Sequence, residues 1–201
     1  MTEDLLDIGK YVESNLSEDI QVSSKLEGDM LVLTTNAENV IVLLAFLRDD
    51  ARCQFKQLID LTAIDYPERE KRFEVVYNLL SIRYNNRIVV KVNVAEGELV
   101  PTVTGVFSAA DWYEREVWDM YGVFFANHPD LRRILSDYGF SGHPQRKDFP
   151  LSGYVQVKYD EEKKRVVYEP VKLDQEFRTF DFASPWEGTQ YVLPGDEKAE
   201  A

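Results

Sequence analysis

The chain has 201 residues, 44% of them apolar, and a net charge of −13. This length suits one domain with an extension or two small domains, with enough apolar residue to bury a sizeable core. The acidic balance argues against nucleic acid and against docking on anionic lipid, since both reward basic surfaces. The longest apolar run, Val40–Leu47, falls far short of the roughly 20 residues that span a bilayer. The N-terminus, MTEDLLDIGKYVESNL, is acidic and has neither signal-peptide regions nor the Arg-rich character of a transit peptide, so the protein is expected to stay where it is made. The single Cys53 excludes an internal disulfide, cannot by itself hold an Fe–S cluster or zinc, and reads as a buried small apolar residue.

Residues 3–16 carry Leu5, Ile8, Tyr11 or Val12, and Leu16 at helical spacing, after a Thr2-Glu3-Asp4 start. Asp19–Leu26 and Met30–Thr34 read as a hairpin around Glu27-Gly28-Asp29. Thr35 and Glu38 form a capping-box pattern before Val40–Leu47, predicting a second helix to about Asp50. Three strands follow over Phe55–Ile64, Phe73–Arg83 and Ile88–Ala95, with Glu68–Arg72 as a solvated loop and a turn at Asn85-Asn86. The order α-β-β-α-β-β-β predicts an α+β fold, a two-layer domain with a mixed sheet. A third helix over about 109–121 is predicted from Ser108 as N-cap, Phe107 and Trp112 as a hydrophobic staple, and Gly122 as C-cap.

From Asn127 to Gly195 the chain holds six of its eight prolines, which rules out long regular elements. A helical turn is expected at Pro129–Leu135, and a hairpin pairing Tyr154–Tyr159 with Arg165–Glu169. The expected organisation is an α+β domain over 1–126, an extended partner-binding arm over 127–187 and a frayed acidic tail over 188–201.

Chemistry-bearing motifs are scarce. There is no G-x-G-x-x-G, no P-loop and no G-x-S-x-G setting. The two histidines, His128 and His143, lie 15 residues apart and each precedes a proline, which does not match a helical metal pair. A free-standing hydrolase or metal enzyme built on them is the weakest reading. Glu114 and Glu116 sit in a charged helix and read as a solvated or interface face. By contrast, Asn127–Pro150 is slightly basic, with four basic against three acidic side chains, and is interleaved with aromatics. Arg and aromatic residues in that mixture are what protein interfaces concentrate.

Three stretches then stand out: DLTAIDYPERE with RFEVVYNLLS (Asp60–Ser81), EREVWDMYGVFFANHPDLRRIL (Glu114–Leu135), and SDYGFSGHPQRKDFPLSGY (Ser136–Tyr154), followed by QEFRTFDFASPWE (Gln175–Glu187). Together they closely resemble the signature of the NuoC-type subunit of respiratory complex I. Gln145 is the one departure noted, standing where the family more often has an apolar residue. The resemblance implies an α+β domain followed by an arm that embraces the NuoD-type subunit in the quinone-reducing part of complex I. It implies a hetero-oligomer in which flavin, Fe–S clusters and quinone belong to neighbouring subunits and none is bound by this chain. It also implies a place on the cytoplasmic face of a bacterial inner membrane, or the matrix side if the gene is mitochondrial, reached through partners without membrane insertion. Carried over residue by residue, it marks Trp118, Asp119, Tyr121, Arg132, Arg133, His143, Arg146, Lys147, Asp148, Phe149, Phe177, Arg178, Phe180 and Trp186 as interface or arm-anchoring residues. The same scaffold role in a related complex, a membrane-bound hydrogenase or a photosynthetic NDH-type complex, is the alternative.

Overall fold

The computed structural model describes residues 2–16 and 20–175. The chain forms two units, Met1–Gly153 and Tyr154–Ala201. Residues 127–153 fall in the first of these units, tied to it by the buried charges described below.

In the first unit, helix α1 (Thr2–Asn15) precedes the hairpin β1 (Val22–Glu27) and β2 (Met30–Thr35). Gly28, at φ +60°, supplies the left-handed position of its two-residue turn. A 3-10 turn, Ala37–Asn39, leads into α2 (Val40–Asp49), and β3 (Gln57–Asp65), β4 (Phe73–Ser81) and β5 (Asn86–Val94) follow. These five strands form one mixed sheet in the order β1-β2-β5-β4-β3. Only β2 and β5 run parallel within it, because the intervening meander returns β5 to the open edge of the first hairpin.

The register decides which face is buried. Leu33 pairs with Val90, Val90 with Tyr77, and Tyr77 with Leu61, so one row of large side chains crosses four strands. This face carries the core, against which Leu5 and Val12 of α1 and Val40, Leu43, Leu44 and Leu47 of α2 pack. Val32, Val76 and Val89 on the opposite face form a small separate cluster. The arrangement is the two-layer α+β fold expected from the element order. Cys53 is buried, and burial, with Asp50 nearby, pushes its thiol up to about 12.

Two short strands were not foreseen: β6 (Leu99–Pro101) pairs in parallel with β7 (Phe124–Ala126), on either side of α3 (Ala110–Tyr121). Helix α3 lies over β3, where the register shifts between Leu58 and Asp60. The carbonyl of Ile59, at that bulge, accepts a hydrogen bond of 3.0 Å from the Tyr113 hydroxyl. Tyr113→Phe removes this single exposed bond, and a loss of roughly 0.5–1.5 kcal/mol is expected, near the low end, as read by urea denaturation.

Several local expectations fail for identifiable reasons. Thr35 does not cap a helix; it remains extended in β2 and its hydroxyl donates to the carbonyl of Gln21. Ser108 does not cap α3, because the backbone already turns at Val103–Ala110 and Ala109 takes the N-cap position in helical conformation. Trp112 is 67% exposed while Phe107 is buried, so no staple forms. Gly122 does terminate α3, at φ +78°, with its N–H on the carbonyl of Trp118. Pro129–Leu135 makes no helical turn, since the N–H groups of Ile134 and Leu135 bind the Asp119 carboxylate instead of backbone carbonyls.

In the second unit, β8 (Val155–Asp160) and β9 (Arg165–Pro170) pair antiparallel, forming the expected hairpin. Val155 faces Pro170, Val157 faces Tyr168 and Tyr159 faces Val166, so one side is wholly apolar or aromatic. These five Val and Tyr side chains are each more than half exposed. The other side carries Gln156, bonded to Glu169 at 2.7 Å, and the cross-strand pair Asp160 and Arg165.

Candidate functional site

Ten of the fourteen residues marked from the sequence lie in the first unit, and most converge where α3 ends. Phe177, Arg178, Phe180 and Trp186 lie outside the described residues.

Helix α3 ends with carbonyls that have no partner within the helix. The segment His143–Lys147 supplies the donors. His143 Nδ1 lies 3.0 Å from the Asp119 carbonyl, the Gln145 N–H donates to Met120, and Arg146 Nε donates to Tyr121 at 2.6 Å. A cation at a helix C-terminus also meets the negative end of its dipole. Gln145 contributes only its backbone to the cap, which leaves its side chain free of any demand there. Burial holds His143 below the usual imidazole range, so at neutral pH the ring is uncharged and Nδ1 carries the donated proton.

Asp119 organises the second part of the site. Its side chain is fully buried. One oxygen accepts from Arg133 at 2.6 Å, and the other accepts the N–H groups of Ile134, Leu135 and Ser136. Burial opposes the charge, but these four donors outweigh it and hold the carboxyl down at about 2. Arg133 also reaches the Gly142 carbonyl and lies over the rings of Trp118 and Phe140. Phe140 in turn sits 6.0 Å from Phe149. Arg115 donates to the carbonyls of Arg132 and Arg133, fixing the same loop from the helix. The side chain of Arg132 is exposed and pairs with Asp130.

A third group ties the loop to the sheet. Asp65, at the end of β3, is buried and receives Arg72 through two bonds of 2.6 and 2.9 Å. It also accepts the N–H of Lys147, 82 positions away. Arg72 reaches Asp148 at 3.0 Å, and Arg146 meets Glu96 at 2.6 Å. Both guanidinium groups lie near the face of Phe73. Lys147 itself places its ammonium 5.4 Å from the Tyr66 ring. The Glu68–Arg72 loop is thus not wholly solvated: Arg72 turns inward because the Asp65 charge is there.

The sequence marked both sides of the Asp119–Arg133 pair and only one side of the contacts with Asp65, Arg72 and Glu96. Asp65, Arg72, Glu96 and Glu114 were not singled out, or were read as solvated. For Glu114 a signal existed: Ala110, Glu114, Val117 and Tyr121 recur at helical spacing, which places the carboxylate inside the apolar stripe. Both histidines meet backbone groups, His143 as above and His128 between the Asp111 carbonyl and the Asp130 N–H, with the Asp111 carboxylate also 3.2 Å from its Nε2. Among the described residues no group of three His, Cys, Asp or Glu side chains is placed to hold a metal ion, and no helix is long and apolar enough to cross a membrane.

Residues 33–155, from β2 through the loop that caps α3 to the first residue of β8, match the family described as respiratory-chain NADH dehydrogenase, 30 Kd subunit. The chain belongs to this family. Its relatives extend the likeness to the whole chain. The C subunit of the NADH-quinone oxidoreductase of Paramagnetospirillum magneticum is 58% identical over 199 residues, 99% of this chain and 100% of the relative. Its counterpart of the same name in Rhizobium rhizogenes is 63% identical over 179 residues, 89% of this chain and 90% of the relative. Among solved structures, a chain of the membrane-bound sulfane sulfur reductase, an archaeal respiratory membrane complex, aligns with a TM-score of 0.63 at 25% identity, covering 81% of this chain and 98% of that one. The 30 kDa family is a family of subunits, so this chain is one component of a hetero-oligomeric respiratory enzyme complex.

Proposed function

We propose that this chain is a non-catalytic scaffold of a proton-translocating NADH:quinone oxidoreductase, holding the NuoD-type subunit in its quinone-reducing arm on the cytoplasmic face of the membrane. Electron transfer from NADH to quinone is then the work of the whole complex, with flavin, Fe–S clusters and quinone in neighbouring subunits. Family membership supports the complex. The observation that carries the scaffold role is the β8–β9 hairpin, whose Val155, Val157, Tyr159, Val166, Tyr168 and Pro170 share one exposed face. A lone two-stranded hairpin is marginal in water, and a contiguous apolar face of this kind normally meets a partner.

The test is a mild-detergent pull-down of the tagged chain from its native membranes, with visible spectra and an NADH:quinone assay. A flavin- and iron-containing assembly that oxidises NADH is expected, and a colourless lone protein overturns the reading. With Val157→Lys and Tyr168→Lys together, the free chain should keep its circular dichroism and melting temperature while recovery of the assembly drops severalfold. Undiminished recovery would remove the hairpin from the interface. A second reading, the same scaffold in a related complex, is favoured by the likeness to the sulfane sulfur reductase chain. The electron-input subunits that co-purify distinguish the two.

A further inference from the structure

Glu114 is the second fully buried carboxyl of α3, and it takes no part in the anchoring contacts above. Oε1 accepts the N–H of Val103 at 2.7 Å, and Oε2 lies 2.5 Å from the Thr102 hydroxyl. Unlike Asp119, it has no guanidinium or ammonium partner among the described residues. Its neighbour Arg115 turns away to the carbonyls of Arg132 and Arg133. His128 Nε2 is 3.7 Å from Oε2 but closer to Asp111, at 3.1 Å from its carbonyl and 3.2 Å from its Oδ1, while Nδ1 accepts the N–H of Asp130. From β4, the Tyr77 hydroxyl is fully buried with no hydrogen-bond partner among the described residues, and it is close enough for the Glu114 charge to raise it further. Asp111, one turn earlier on the same helix, adds only negative charge.

We propose that Glu114 is a proton-binding site, taking up and releasing one proton within the folded chain and exchanging it with solvent through the hydroxyls of Thr102 and Thr104. The Thr102 hydroxyl meets Glu114 Oε2 and, at 3.0 Å, the Thr104 hydroxyl, and its oxygen also accepts the N–H of Thr104 at 3.3 Å. When Glu114 is ionised, Thr102 donates to it. When Glu114 is protonated, its O–H donates to Thr102, which turns its own hydrogen to Thr104. Both states are therefore bonded without movement of the backbone, and Thr104, half-buried, stands at the outer end of the chain of hydroxyls. Burial raises the Glu114 carboxyl to about 7, against the lowering effects of Thr102 and Val103 and with Asp111 raising it further. Because the unfolded chain gives up this proton near 4.5, stability declines as pH rises from there to about 7 and flattens above.

The test is a carbon-13 NMR titration of the full chain labelled at the glutamate carboxyl carbons, with Glu114 assigned through its own backbone. Glu114 should titrate near neutrality, well above the ordinary 4.5 of a glutamate. Thr102→Val, which removes the lowering hydroxyl, should move the midpoint upward, and Thr102→Ser should restore it. Titration of Glu114 in the usual range, or no titration across the folded range, overturns the site. An unmoved midpoint in Thr102→Val overturns the route. If that variant does not fold, the wild-type titration still decides whether the site exists.

Discussion

Asp119→Ala should destabilise the first unit by about 3–5 kcal/mol, measured by urea denaturation of the isolated chain. The substitution deletes one carboxylate that satisfies four donors. Arg133 keeps the Gly142 carbonyl but loses its ion pair, and the N–H groups of Ile134, Leu135 and Ser136 lose their acceptor. Orphaned donors of this kind cost more than the bonds themselves contributed. Asp119→Asn should cost less, since one acceptor oxygen remains while its amide faces a donor. The same carboxyl sets an acid limit. Its folded value of about 2 lies below the ordinary 3.8, so its contribution is complete above that ordinary value and is lost as pH falls towards 2. A wild-type acid-unfolding curve that matches that of Asp119→Asn would show that the buried charge contributes nothing.

Arg72→Met should rank second, at roughly 3 kcal/mol or more, because it leaves Asp65 charged and buried with the Lys147 N–H to answer it. Arg72 is the foremost reason the Asp65 carboxyl lies below the usual range, so its loss lets that carboxyl rise. The stability that Asp65 provides is present at neutral pH and disappears as pH falls through its folded value. In Arg72→Met this loss begins at a higher pH. Pairing the mutation with Asp65→Leu should recover much of the deficit, since two apolar groups replace a buried ion pair at little cost. If the double variant is as unstable as the single one, the damage comes from lost packing against Phe73 and not from an unpaired charge.

The sheet and helices were legible because alternation in β3, β4 and β5, and helical spacing in α1, α2 and α3, mark which side chains go inward. The turn at Gly28 and the stop at Gly122 were legible because few other residues take those conformations. The cap at Thr35 was misread because a Thr-x-x-Glu spacing does not reveal that Thr35 is still paired with β1. The attachment of 127–153 to the first unit was illegible for a different reason. The prolines and glycines there do preclude regular elements, yet the segment is held by side chains from residues up to 82 positions earlier, and local patterns carry no trace of such partners. Asp119, Arg133, His143 and Arg146 were marked by the resemblance, whereas Glu96, which receives Arg146, followed only from the fold.

The cap on α3 also has a consequence for synthesis. The helix closes at Tyr121, but the donors for its last carbonyls are His143, Gln145 and Arg146. A chain leaves the ribosome at about 5–20 residues per second. For a second or more after α3 has emerged, its C-terminal end has only water to satisfy it, and Asp65 and Asp119 await the N–H groups of Lys147 and of Ile134–Ser136. A fragment cut after Ala126 therefore carries the complete five-stranded sheet and all of α3 but none of the donors that close the helix end and answer Asp65 and Asp119 from residues 133–147.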